Sequence, residues 1–245
     1  MVLDIQEKGK DHFLKNNGTL YLVAVPIGND ADFSSRSIDI LKSVDLILCE
    51  EYKEAKRILK LLSIEKDLLA LNEHTEKEES QNVIDMLKRG KNIALISDHG
   101  TPLIEDPGKY VVREAIKNNL KVTSAPGPSS ILAALILSGF DTKKFTYYGL
   151  LSPKKNEREK QLKSYKNISH TTIFLDTPYR LNNLLESMQS IIGGEREIAL
   201  CLNLTTGNEK IIRGRIKNVL KQVKQSEIKK PEFVIIMNGD KNKNF

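Results

Sequence analysis

The chain has 245 residues, 40% apolar and 29% charged, long enough to bury a core without disulfides or metals. No uncharged apolar stretch reaches bilayer-spanning length, and the charged start "MVLDIQEKGKDHFLKNN" carries no signal-peptide segment, so a cytoplasmic protein without membrane contact is expected. Net charge is +6 but uneven: residues 1–150 hold 20 Lys and Arg against 22 Asp and Glu, residues 151–245 hold 18 against 10. A basic excess confined to the C-terminal part suits a polyanionic partner, although a lysine-rich composition that only keeps the protein soluble would look the same.

Residues 1–17 read as a solvated arm. "GTLYLVAVPIGN" then predicts a β-branched strand stopped by Pro26 and Gly28, and "DFSSRSIDILKSV" a helix capped by Ser34 or Ser35. The pattern repeats through strand "DLILCE", helix "EYKEAKRILKLL", helix "ESQNVIDMLKRGK" and strand "NIALIS". Helix "YVVREAIKNN" and strand "KVTSA" follow, and Pro128 and Ser129 open a buried helix in "PGPSSILAALILSG". Strands alternating with helices predict an α/β fold around a mainly parallel sheet covered on both faces. A domain boundary is expected where "GLLSPKKNEREK" turns from apolar to charged, giving α/β domains over 18–150 and 151–245. In the second, "TTIFLDTPYR", "REIALCLNLTTGNE" and "PEFVIIMNG" read as strands, "YRLNNLLESMQSII" and "GRIKNVLKQVKQ" as helices. Cys49 and Cys201 sit in apolar runs without paired spacing and read as buried thiols, and no metal site is predicted.

Three strand ends share one chemistry: "PIGN" (Pro26, Ile27, Gly28, Asn29), "SDHGTP" (Ser97, Asp98, His99, Gly100, Thr101, Pro102) and "PGPSS" around Ser129. Each puts Gly, Pro and small polar residues where an apolar strand stops, the place where open α/β sheets bind ligands. Glycine lets a backbone approach a ligand, and exposed N–H groups there bind anions. Neither a GxxxxGK[ST] nor a GxGxxG turn is present, so the common nucleotide turns are absent.

Together, "GTLYLVAVPIGN", "VDLILCEE", "ALISDHGTPLIEDPG", "PGPSS", "ALILSGF" and "EFVIIMNG" resemble the tetrapyrrole methylase superfamily, over about Gly18 to Gly239. The nearest branch methylates the cytidine 2′-oxygen of small-subunit ribosomal RNA. The resemblance implies two α/β domains, S-adenosylmethionine in the cleft between them, an RNA partner and a homodimer. The chain departs from that branch at Glu51 to Lys53 and at His99, where the branch has Ala. It departs again in "LDTPYR" and "LNLTT".

The resemblance makes the three loops the cofactor contacts, with Thr177, Asn203 and Thr205 as the opposing wall. If the acceptor is a ribose hydroxyl, a carboxylate or imidazole must take its proton. The candidates are Glu50, Asp98, Glu73 and His74, with a helix-start charge as the alternative for Glu50 and a turn cap for Asp98. Tyr52 and Tyr179 are candidates for stacking on RNA bases, beside the basic runs at 154–166 and 210–230. A small-molecule methylase, or a cofactor-binding protein without turnover, would fit the same motifs.

Overall fold

The structure, a computed structural model, describes residues 17–72, 76–226 and 230–240. Five short apolar segments, β1 (Thr19–Val23), β2 (Leu46–Cys49), β3 (Leu68–Ala70), β4 (Ile93–Ile96) and β5 (Lys121–Ala125), pair in parallel in the order β3-β2-β4-β1-β5. Alternate side chains face opposite ways, so each face needs its own cover. Helices α1 (Ser35–Ser43) and α2 (Tyr52–Leu61) bury Ile40, Leu41 and Ile58 against Val23, Ile47 and Ile96. On the other face, α3 (Glu76–Lys88) and α4 (Lys109–Lys117) bury Val83, Leu87 and Val111 against Leu20, Leu48 and Leu95. The neighbouring strands β1 and β4 therefore send their connections to opposite faces, which opens a crevice at their carboxyl ends.

Helix α5 (Ser130–Ser138) starts where Ser129 Oγ accepts the Leu132 N–H at 3.4 Å, as Ser34 Oγ accepts the Ser37 N–H at 3.0 Å at the start of α1. Caps of this kind are worth about 1 kcal/mol each. Being apolar nearly all round, α5 does not cover the first sheet but wedges under the second, with Ile131, Ala134 and Leu135 against Ile173, Ala199, Val234 and Ile236.

The second sheet runs β6-β7-β10-β8-β9, from β6 (Phe145–Leu150), β7 (Thr171–Asp176), β8 (Glu197–Leu202), β9 (Lys210–Arg215) and β10 (Phe233–Met237). Only β6 and β7 pair in parallel; the other three pairings are antiparallel. Its outer face is covered by α6 (Lys155–Tyr165), α7 (Leu181–Ile191) and α8 (Ile216–Gln225) through Leu162, Leu184, Met188 and Val219.

Three features differ from the sequence expectation. The second sheet is mixed, because the turn after β8 and the segment before β10 return the chain antiparallel. Residues 210–215 form a separate edge strand, β9, where the sequence reading places a helix from Gly214 and no element at 210–213; Lys and Arg flank its apolar pair Ile211 and Ile212, as suits an exposed edge. Finally, β6 already belongs to the second sheet, so the sheets hand over before residue 145, ahead of the charged run. That run forms α6, and its Arg158 is buried: the guanidinium donates to Ser187 Oγ and to the Ser152 and Pro153 carbonyls. Both cysteines are free and buried, and burial pushes each thiol up to about 11.

Candidate active site

The three strand-end loops meet because β4, β1 and β5 are neighbours. The Val25 N–H donates to the Gly100 carbonyl at 2.9 Å, the Gly100 N–H to Pro26 at 3.3 Å, and Thr101 Oγ1 to the Pro128 carbonyl at 3.1 Å. Gly100 takes φ +78, and a Cβ there would stand 3.0 Å from Ile27 Cγ2. This is a turn that only glycine makes without strain. Ser97 Oγ is turned inward, donating to the His99 and Gly100 carbonyls, and so braces the loop.

Above these loops lies a cavity of about 540 Å³, walled on its other side by the second sheet. Its floor carries Ile27, Asp98, His99, Gly100, Thr101 and Ser129, with Glu50 from the end of β2. The facing wall carries Leu150, Asp176, Thr177, Leu204 and Glu232, from the carboxyl ends of β6, β7 and β8 and the amino end of the reversed β10.

The other expected cofactor residues stand behind this lining. Pro26, Ser97 and Pro102 are buried supports. Asn29 caps a short 3-10 turn, its Oδ1 accepting the Ala31 N–H. At Gly28 an added Cβ would fall 2.6 Å from Thr206 Cγ2 and 2.7 Å from the Leu204 carbonyl, so the turn after β8 rests directly on the first sheet's loop. Within that turn Asn203 (φ +47) and Thr205 (φ +64) are left-handed; the Asn203 N–H donates to the Glu232 carbonyl and the Thr205 N–H to Glu209. Glu73 and His74 lie outside the described residues. Tyr52 receives the Ala70 N–H on its hydroxyl, away from the cavity. Tyr179, 73% exposed, follows Thr177 and Pro178 at the cavity rim with Lys230 Nζ 4.5 Å above its ring.

Sequence reasoning missed a carboxylate cluster in residues 103–108. Leu103 (φ +73) and Glu105 (φ +66) are both left-handed, a conformation costing on the order of 1–3 kcal/mol each in a non-glycine residue. Neighbours hold it in place. Buried Glu76 accepts the Gly108 N–H at 2.9 Å and the Tyr110 N–H at 2.6 Å, and Glu105 accepts the Tyr147 hydroxyl at 2.8 Å. The constraint turns Asp106 into the cavity, which Glu50 also lines. Burial first, then the charges of Glu50 and Asp98, push the Asp106 carboxyl up to about 7. Burial also raises Asp98, opposed by the Glu51 N–H at 3.3 Å. Across the cavity burial raises Asp176, opposed by the Thr177 N–H and by Arg180, which pairs with its Oδ1 at 2.5 Å. Asp176 Oδ2 is buried with no hydrogen-bond partner. The pattern "IEDPG" carried the signal for Asp106; nothing in the sequence marked Glu76 or Glu232.

The sequence model of the family described as Tetrapyrrole (Corrin/Porphyrin) Methylases matches residues 19–220. The chain belongs to the tetrapyrrole methylase family. Among its curated relatives, the ribosomal RNA small subunit methyltransferase I of Bacillus subtilis is 40% identical over 225 residues, 92% of this chain and 76% of that protein. The protein of the same name from Leptospira borgpetersenii is 40% identical over 207 residues, 83% of this chain and 82% of its own length. Solved structures share the fold: a diphthine synthase at TM-score 0.68 and 15% identity, covering 90% of this chain and 89% of its own. A uroporphyrin-III-C-methyltransferase from Thermus thermophilus aligns at TM-score 0.60, also 15% identical, covering 90% and 94%. The tetrapyrrole methylase fold therefore extends over both sheets. Among the described residues no helix is long and apolar enough to cross a membrane.

Proposed function

We propose that this tetrapyrrole methylase family member is an S-adenosylmethionine-dependent methyltransferase whose acceptor is a ribose 2′-hydroxyl of small-subunit ribosomal RNA. The observation that carries this reading is the cavity itself: one wall of converged glycine-bearing loops, apolar side chains on both walls, and carboxylates around it. The residues fit such a cofactor. Its size suits a nucleoside-sized ligand, negative charge from Glu50, Asp98, Asp106 and Asp176 suits a cation, and the unpartnered Asp176 Oδ2 offers an acceptor to a hydroxyl or amine.

When bound, the cofactor supplies a methyl group activated on positively charged sulfur. The chain's part is to hold and to exclude water. Backbone groups at Ile27 and Gly100, with Thr101 and Ser129, would hold the cofactor from the first sheet, and Thr177 with Asp176 from the second. Ile27, Ile104, Leu175 and Val234 keep the space dry. Glu50 and Asp98 place carboxylates where an acceptor proton can be received.

RNA as the acceptor is supported by the relatives' names and by the rim. Tyr179 with Lys230 offers a stacking face beside a charge, and exposed Lys154 and Lys155 begin α6 just beyond Leu150. Most other lysines of the basic runs lie on α6 and α8, on the sheet's outer face, and Lys217 and Lys224 already pair with Glu195 and Glu186. The reading extends to a cytoplasmic homodimer; Leu132 and Ile136, exposed on α5, are apolar surface that a second copy would cover.

The test is incubation with methyl-labelled S-adenosylmethionine and either unmodified small ribosomal subunits or a panel of tetrapyrroles. Label in a ribose of the subunit is the expected result; label only in a tetrapyrrole, or tight binding with no transfer, would overturn it.

A further inference from the structure

The loop at 103–108 is built at a conformational cost, held from both sides, and brings Ile104, Glu105 and Asp106 to the cavity. We infer that Asp106 is the catalytic residue that takes the proton of the acceptor hydroxyl, sharing it with Glu50. The inference rests on the methyltransferase reading above.

Of the cavity carboxylates, Asp106 is the one whose position suits a transient charge. Asp98 is anchored by the Glu51 N–H, and the charge of Asp176 is paired with Arg180 and the Thr177 N–H at Oδ1, its open Oδ2 being the acceptor assigned to the cofactor. Glu50 is exposed at the end of β2, whereas Asp106 is partly buried on the same cavity. Two carboxyl groups that share a cavity and raise one another cannot both ionise easily, so one proton is held between them. The groups around the pair are mostly acidic or neutral. Asp98 and His99 come from the end of β4, Glu105 from the same loop and Tyr147 from β6, while Asp176 and Glu232 come from the opposite wall. Arg180 is the cation of that wall, already paired with Asp176.

A cationic donor entering this space favours loss of the shared proton, so the base forms when the donor arrives. In the transfer, the acceptor O–H bond breaks and its proton passes to the Asp106 carboxylate. The oxygen forms the new O–CH3 bond while the S–CH3 bond breaks, and that electron pair stays on sulfur. The positive sulfonium becomes a neutral thioether, the negative carboxylate becomes neutral, and charge balances. With the cation gone, the proton is again stable between Asp106 and Glu50 until water removes it.

The experiment combines single-turnover methylation of unmodified small subunits across pH with calorimetric binding of S-adenosylmethionine and of its demethylated product in two buffers of different ionisation heat. Wild type, Asp106→Asn and Glu50→Gln are compared. The wild-type rate should rise through a group near neutral pH, and donor binding should release part of a proton that product binding does not. Asp106→Asn should lose both effects and about 10²–10³-fold in rate, the usual contribution of a general base, with its product affinity kept. Glu50→Gln should move the rise to lower pH.

Asp106→Asn turning over within about threefold of wild type, or wild type releasing no proton on binding the donor, would overturn the inference alone. Wild type binding neither ligand would overturn the methyltransferase reading and the inference with it. If Asp106→Asn does not fold, the direction of the Glu50→Gln shift decides.

Discussion

The two walls of the cavity are made differently. On the first sheet, three adjacent parallel strands end in loops tied to one another by backbone hydrogen bonds and by the Thr101 hydroxyl, so the wall is held by bonds within the loops themselves. On the second, strand ends from a mixed sheet contribute side chains whose hydrogen-bonding capacity is only partly used, with Asp176 Oδ2 buried and unpartnered at the cavity. The first wall has the rigidity that binding a cofactor needs. The second keeps an open acceptor for the cofactor at Asp176 and an exposed rim at Tyr179, and the rim is where selectivity for a methyl acceptor can reside. Buried unpaired polar atoms are rare enough in folded proteins to point at a ligand.

Substitutions at the two walls should therefore separate stability and cofactor binding from acceptor binding. The largest expected effect is at Glu76, outside the cavity but under the first wall. Glu76→Ala strands the buried N–H groups of Gly108 and Tyr110, and denaturant unfolding should show a loss of about 3 kcal/mol, with Glu76→Gln losing less because an acceptor remains. Next is the junction. Gly28→Ala puts a methyl 2.7 Å from the Leu204 carbonyl, so the walls must part; calorimetry should show at least about a tenfold weaker affinity for the demethylated cofactor product, or about 1.4 kcal/mol.

At the rim of the second wall, Tyr179→Ala should raise KM for ribosomal subunits about tenfold through lost stacking, leaving product affinity unchanged. An equal loss of product affinity would mean that the rim and the cofactor wall are not separate.

The pH dependence of stability sharpens the contrast further. Asp106 holds its proton up to about 7, whereas an unfolded aspartate loses it near pH 4. Between those values the folded state binds the extra proton, so this contribution to stability is fully present at the acid end and is lost as pH rises to neutrality. Asp106→Asn should lack that loss, and its stability relative to wild type should grow as pH rises from about 4 to 7 in thermal melts. The smallest effect is expected at Lys154 and Lys155: replacing either by Ala should reduce the salt dependence of RNA binding by about one counterion, with the loss of affinity greatest at low salt and fading as salt rises.

How much of this could be read from the chain differs between the walls for the same physical reason. Local patterns reveal a parallel α/β unit well, since an apolar run, a Pro-Gly stop and a capping serine such as Ser34 or Ser129 are all contiguous in sequence. Those signals led to Ile27, Gly100, Thr101 and Ser129, which do come together. The edge strand β9 has no such stop, because Arg215 passes directly into α8, and its Lys and Arg resemble the polar face of the helix that follows. The Glu76 anchor spans 32 residues to Gly108, and the Gly28 contact with Thr206 joins different sheets, so neither leaves a local trace. Asp106 was visible as a residue, but its surroundings were not. Its neighbour Glu50 comes from the end of another strand, β2, and the left-handed turn that aims it back toward Asp98 depends on packing around Leu103.

The most direct measurement of where the donor is held is a crystal structure of the protein grown with the demethylated cofactor product. The account predicts density between Gly100 on one side and Thr177 on the other, with a ligand hydroxyl or amine donating to Asp176 Oδ2. Density on the outer helical face, or an ordered ligand that touches only one of the two sheets, would contradict it.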